Sequence, residues 1–499
     1  MNLTLLELDL EDNHFDEGAD VVIIGAGLAG IGMAVKLSQA CPDMKFLLLE
    51  QRDRVGGTWD LFRYPGVRSD SDMQTLGYSF KPWTEEEVIA DGDTIQRYIA
   101  EAADEYAVSE NIRFGLRVKE AYWQSALDCW MILADRPGEQ GELRFKSQFI
   151  VMCSGYYDYR EGHKPDLPGA SQFSGRIIHP QQWPDDFDPS DKNITVIGSG
   201  ATAVTLVPAL AKHAQKVTMI QRSPGYIASR PRVDRFNIRL RRLIGDAVAY
   251  RFIRWRNIKG QRLVYWLSKK FPQWLGSRFV RSALREMPNL NLSHEDIYPT
   301  YAPCEQRLCV TPDGEFFEAV RNGSVEIITG QVETLNQDGI TLCSGRFIPS
   351  DCIITATGLK LALFGDISFF IDGEPVHFPN HIYYKGTMLN DIPNFISMFG
   401  YVNISWTLRT EMISTYACRL FQFMRQNSYA VAVPKITTSI DRTDFIIDEN
   451  IFSPGYYKRS KEIFPKNTNV HPWRILQNFP AEEKIFTCDP IECDGIFFK

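Results

Sequence analysis

The sequence predicts an α/β fold: two Rossmann-like dinucleotide-binding domains, the first discontinuous with the second inserted into it, plus a helical insertion. A strand, a glycine-rich turn and a helix occur in succession at residues 20–40, and again at 193–211. Apolar runs ending in small residues fall at 149–157 and 351–359, where a chain would leave the first domain and return to it. The length, 499 residues, exceeds what one core organises. With 44% hydrophobic and 23% charged residues, the composition excludes a disordered or fibrous chain.

Residues 1–15 are acidic and read as a flexible extension, not a secretory leader. DVVII (20–24) reads as a short buried parallel strand. GAGLAG (25–30) follows, then a helical pattern, then KFLLL and Glu50. In this spacing Gly25 makes the tight turn, Gly27 and Ala29 let a pyrophosphate approach the backbone, and Gly30 packs helix on strand. The anion sits at the helix N-terminus, where free N–H groups and the dipole favour it. Glu50 would accept hydrogen bonds from a ribose.

The second unit, NITVIGSGATAVTLVPALA (193–211), presents Gly198, Ser199, Gly200, Ala201, Thr202 and Ala203 in the same way. Its next strand ends in Gln221-Arg222 rather than an acid. A carboxylate there would repel a 2′-phosphate, whereas Arg222 attracts one, so this unit reads as NADP-binding. Two different ribose readers imply two cofactors, FAD first and NADPH second. The domains then run 16–160 with 351–499 for FAD, and 161–350 for NADP, including a basic helical insert at 230–290. Pro-rich joins near 165–168 and 180–189 are the expected hinges.

FSGRIIHPQQW (173–183) fits F-x-G-x-x-x-H-x-x-x-W through Phe173, Gly175, His179 and Trp183. GGTWDLFRYPGVRSDSDM (56–73) and CEQRLC (304–309) add two further blocks. Together they resemble the Baeyer–Villiger monooxygenases, class B flavoprotein monooxygenases, over about residues 18–430, and within them the ethionamide-activating type. The resemblance implies an FAD- and NADPH-dependent enzyme that uses O2 and a C4a-peroxyflavin to convert ketones to esters or lactones. Organosulfur substrates, sulfides and thioamides, follow from the same branch.

It also implies roles. Arg307 is the catalytic cation, suited because arginine keeps its proton and presents a rigid donor fork to an oxyanion. Asp70 holds that arginine. Thr58, Trp59, Asp60, Leu61, Asp70 and Val118 match positions around FAD, and Arg68, Ser69 and Asp70 those facing NADP. His179 and Trp183 belong to an interdomain linker, with His179 packed rather than acting as a general base. Gln306 stands where many members carry lysine, which shifts 2′-phosphate recognition onto Arg222. Two other readings stay open: a class B enzyme oxygenating only N or S, and a non-enzymatic flavin-binding NADPH sensor. A disulfide reductase would need a C-x-x-C, which the chain lacks.

No metal site is indicated by the ten scattered cysteines, and reduced thiols suit the cytoplasm. No apolar run approaches the roughly 20 residues of a membrane span. Net charge is −8, yet residues 230–285 carry 16 Lys/Arg against two acids, leaving −22 for the remainder. Phe236, Leu240, Leu243 and Ala247 suggest an apolar helix face among these cations. The preferred reading is a helical cap whose arginines face the acidic remainder, with peripheral membrane contact as the alternative. No nucleic-acid partner is expected of an acidic chain without a recognition module.

Overall fold

The computed structural model describes residues 15–139, 141–288, 293–437, 442–443 and 453–499. The expected N-terminal extension therefore lies, except for Phe15, outside the described residues. The chain enters through β1 (Glu17–Ile24), α1 (Leu28–Ala40) and β2 (Phe46–Leu49), and β3 (Glu142–Met152) follows after two antiparallel strands. β1 pairs in parallel with β2 and with β3, Val21 lying opposite both Phe46 and Phe149. Val21 to Ile24 and all of β2 are buried, so these apolar runs take the centre of the sheet. The helix Thr407–Gln426 shares a core with α1, through Ile31, Val35, Ile413, Tyr416 and Leu420. That core also takes in Trp473, Phe486 and Ile496, so the C-terminal residues complete the first domain.

The second domain is built on a five-stranded parallel sheet. Its elements begin with β4 (Arg176–Ile178), β5 (Asn193–Ile197), α2 (Ala201–Leu210) and β6 (Lys216–Gln221). Three helices follow, α3 (Arg235–Ile244), α4 (Asp246–Lys270) and α5 (Pro272–Glu286), then β7 (Val325–Thr329) and β8 (Cys352–Thr355). The spatial order is β7-β6-β5-β8-β4, all parallel. The molecule is thus a mixed α/β protein with two Rossmann-like domains.

The topology corrects two expectations. The run at 351–359 does not open the return to the first domain. Cys352 pairs with both Ile194 and Arg176, so β8 is an interior strand of the second sheet, and all four of its residues are buried. The return crossing comes after Thr355. It runs beside the outgoing one: Asp158 N–H donates to Lys360 O (2.9 Å) and His163 N–H to Gly358 O (3.1 Å). These paired crossings, not the Pro-rich joins, connect the domains. The expected stripe Phe236, Leu240, Leu243, Ala247 also fails as one helix face. Gly245, at φ +78°, ends α3, and Ala247 belongs to α4.

Candidate active site

A cavity of about 860 Å³ runs from the first glycine turn to the N-terminus of α2. At one end stand Gly25, Gly27, Ala29 and Glu50. Gly25 has φ +103°, and a Cβ there would lie 2.7 Å from Cys153 O, so only glycine lets β1 turn against the end of β3. Gly30 lies outside the cavity and packs α1 against that turn. α1 has no side-chain cap, which leaves its first N–H groups for a ligand. Glu50 accepts from Ala26 N–H (2.7 Å) and Arg52 N–H (2.9 Å). Burial pushes its carboxyl above the usual carboxylate range, against those two donors. An open helix N-terminus beside a buried, backbone-held acid fits the pyrophosphate and ribose of a dinucleotide.

Thr58, Trp59 and Val118 line the same cavity. Asp60 and Leu61 do not; they are buried beneath it. Asp60 is ion-paired with Arg52, Arg54 and Arg63, the last at 2.7 Å. Its place is to anchor Arg52, a cavity residue that the sequence reading missed.

At the other end Arg68, Ser69, Asp70 and Arg307 converge with Tyr156 and Trp406. They are aimed there by the turn at Tyr64-Pro65-Gly66. Gly66, at φ +79°, presses on α2, and a Cβ there would meet Thr205 O at 2.9 Å and Ala209 Cβ at 3.0 Å. The Tyr64 hydroxyl bonds to Thr202, and burial pushes its pKa up to about 12. Arg68 pairs with Glu315 (2.7 Å) of the second domain, leaving its Nε without a hydrogen-bond partner among the described residues.

Arg307 donates from Nη2 to the Tyr156 hydroxyl at 3.2 Å. Burial opposes its charge, yet the surrounding Tyr156, Tyr456 and Tyr157 hold its pKa well above the ordinary value, so it stays a cation. Asp70 does not grip Arg307 directly; among the described residues no ion pair joins them. Instead Asp70 accepts from Val310 N–H (3.1 Å), three residues beyond Arg307, and so fixes the start of the strand Cys309–Pro312 that follows it. Burial raises the Asp70 pKa, while that N–H and the charges of Arg68 and Arg307 lower it.

On the second glycine turn, Ala201 reaches the cavity, and nothing lies within 4 Å of where a Cβ on Gly200 would stand. α2 likewise has no side-chain cap. Gly198 and Ala203 are packing positions, Gly198 against Ala356 and Ala203 within the core, and the Ser199 hydroxyl donates to Ser223 O (2.8 Å). Gln221 contradicts its expected role as a ribose reader. It is buried, and its amide donates to Asp296 O (2.8 Å) and Thr329 Oγ1 (3.1 Å). Arg222 is exposed. Burial and the nearby charge of Arg222 lower the pKa of Arg459, which no local motif had marked.

The residues 173–183 lie outside the cavity. Phe173 is buried, and Gly175 lets β4 approach Asp351, whose carbonyl oxygen would be 2.2 Å from a Cβ. Trp183 packs edge-on to Phe187 at 5.5 Å. His179 sits on the paired crossings: its Nδ1 accepts from Gln181 N–H (3.2 Å), which assigns the proton to Nε2, 3.3 Å from Gly358 O. Burial first, then nearby Lys164 and His163, lower its pKa. A neutral ring with both nitrogens engaged has no proton to offer a distant substrate. Neutral His179 contributes stability above the ordinary histidine range, lost as pH falls through its folded pKa. His179→Ala should remove that acid-side slope and slow turnover about fivefold, one hydrogen bond's worth. The pH–rate profile should keep all its limbs, and a missing limb would restore a proton-transfer role.

A family model for pyridine nucleotide-disulphide oxidoreductases matches residues 19–238. EthA of Mycobacterium tuberculosis, named as an FAD-containing monooxygenase, is 43% identical over 484 residues, covering 97% of this chain and 98% of its own. MymA of the same organism, named as an FAD-containing monooxygenase, is 42% identical over 492 residues, 97% of each chain. Among solved structures, an oxidised steroid monooxygenase bound to NADP superposes with a TM-score of 0.76 at 20% identity, over 96% of this chain and 99% of that one.

Proposed function

The chain belongs to the FAD-containing monooxygenases, and on that premise we propose that it converts ketones to esters or lactones with NADPH and O2. Sulfides and thioamides are further substrates in the same reading. One observation carries it: a permanently charged Arg307 lining, beside Tyr156, the cavity that joins the two nucleotide sites. Bound FAD, once reduced by NADPH, supplies the oxygen-activating chemistry there. Gly25, the N-terminus of α1 and Glu50 hold the cofactor's pyrophosphate and ribose, and Thr58, Trp59 and Val118 flank it. Arg307 sets a fixed positive charge against the negative charge that develops on the carbonyl oxygen. The Asp70–Val310 hydrogen bond anchors the chain just beyond it. A sensor needs no such cation, so the arrangement favours an enzyme.

Arg222, with Arg459 beside it, reads the 2′-phosphate of NADPH in this proposal. Arg222→Ala should raise KM for NADPH roughly 10- to 150-fold, the worth of a charge-assisted hydrogen bond of about 1.5–3 kcal/mol. KM for NADH should hardly move. An equal effect on both would assign the phosphate to another residue.

Among the described residues no helix is long and apolar enough to cross a membrane. The ten cysteines form no disulfide. Both fit a cytoplasmic placement with peripheral membrane contact through 230–285, which we include in the proposal. The function is tested by NADPH consumption with aliphatic, cyclic and aryl ketones, sulfides and thioamides, and by the mass of each product. Ketone-stimulated consumption with ester or lactone formed in step supports it; oxidised sulfur or nitrogen products alone would select the heteroatom-oxygenating reading.

A further inference from the structure

The basic insert turns an uncovered apolar face to solvent. On α4, Val248, Phe252, Trp255, Lys259, Trp266 and Lys270 recur at helical spacing, and all are exposed, Trp255 to 56% and Trp266 to 54%. Leu243 on α3, 79% exposed, and Phe271 and Trp274 at the start of α5 extend the same surface. The opposite side of α4 is clamped. The Tyr250 hydroxyl donates to Tyr78 O (2.8 Å), Arg254 Nη1 to Gly77 O (2.6 Å), and Asn257 Nδ2 and Gln261 Nε2 to Asp72 (2.9 and 3.0 Å). The helix therefore cannot roll to bury its tryptophans.

The charges divide in the same way. Arg254 pairs with Glu411, Arg256 with Asp234 and Arg241 with Asp246. Among the described residues no carboxylate pairs with Arg239, Arg242, Arg251, Lys259, Arg262 or Lys270. Lys259 lies 6.0 Å from the Trp255 ring and Arg278 5.8 Å from the Trp274 ring. The helical-cap expectation thus holds for the inner face only. A second copy of the chain docked face to face would set like charge on like charge. An anionic bilayer offers the complement: phosphates for the cations and an apolar layer beneath for the rings.

We propose that the outer face of α3–α5 docks on an anionic bilayer, with Phe252, Trp255 and Trp266 entering the headgroup region and the unpaired cations on lipid phosphates. This sharpens the peripheral contact in the reading above and does not require the ketone reaction. It also bears on the cavity. Gln261 bonds Asp72, Thr75 and Ser405, and the neighbouring Ser71, Leu76 and Trp406 line the cavity, so one helix spans membrane face and reaction chamber.

The test is co-sedimentation of the FAD-loaded, full-length enzyme with vesicles of phosphatidylglycerol and phosphatidylcholine, against phosphatidylcholine alone, at low and high salt. Binding should need phosphatidylglycerol and weaken at high salt. R251Q/K259Q/R262Q should lower the vesicle partition coefficient roughly 100-fold, and F252S/W255S/W266S should abolish binding. Flavin absorbance shows that both variants fold. Turnover of a water-soluble ketone without vesicles, read separately, keeps a failure of the catalytic reading distinct from a failure of docking. Wild type that ignores anionic vesicles at low salt overturns the proposal. So do variants that bind unchanged, or a dimer that F252S/W255S/W266S dissociates while wild type binds no vesicles.

Discussion

Arg307→Ala is expected to keep its FAD and to lose ester formation by about 10²–10³-fold or more, the usual effect of removing one partner of a developing oxyanion. Arg307 lines the cavity, stays charged and is held by Tyr156 rather than by a carboxylate. Its positive charge is therefore not already spent on an acid, whereas Arg68, the other guanidinium at that end, is paired with Glu315. The glycine turn and Glu50 lie at the other end of the cavity, so flavin content should match wild type. Arg307→Lys should recover little, because a compact ammonium cannot reproduce the planar fork. Flavin absorbance and product yield per NADPH check both halves. Ester formation within tenfold of wild type would remove Arg307 from the chemistry.

Arg409→Leu is expected to cost about 3–5 kcal/mol of stability, enough to unfold much of the protein on mild heating. Arg409 is completely buried and pairs with Glu482, itself 2% exposed. It also donates to Phe399 O (2.5 Å) and Gly386 O (3.1 Å). Leucine would strand the Glu482 carboxylate, whose Oε1 takes both Arg409 contacts and whose Oε2 has no hydrogen-bond partner among the described residues. The double variant R409L/E482L removes both charges and should be clearly milder. The loss should also reach the site, since the Phe399 ring lies 5.6 Å from that of Tyr156. Thermal unfolding followed by flavin release measures it; a double variant as unstable as the single one would show that packing, not the stranded charge, sets the cost.

What could be read from the chain follows the range of the interactions. Gly25, Glu50 and the 193–211 unit were legible because a strand, a turn and a helix impose a local spacing. Gln221 was misread for the opposite reason: a polar residue at a strand end looks available, and only Asp296 and Thr329, distant in sequence, occupy its amide. Asp60 went the same way, its carboxylate taken by three arginines. β8 was assigned to the wrong sheet because a buried run such as CIIT does not state its neighbours. Arg459 and the Arg409–Glu482 pair carry no local pattern at all. On the basic insert the tryptophans among cations were visible, but Gly245 broke the stripe first drawn, and the exposed one lies a helix further on.

The central claim is that one atom of O2 is inserted beside a ketone carbonyl under the charge of Arg307. Turnover of a methyl ketone under 18O2, with mass analysis of the product, tests it most directly. An ester carrying one 18O, formed one for one with NADPH consumed and absent with Arg307→Ala, is the expected result. NADPH oxidation that yields only peroxide, or an ester without label, would contradict it.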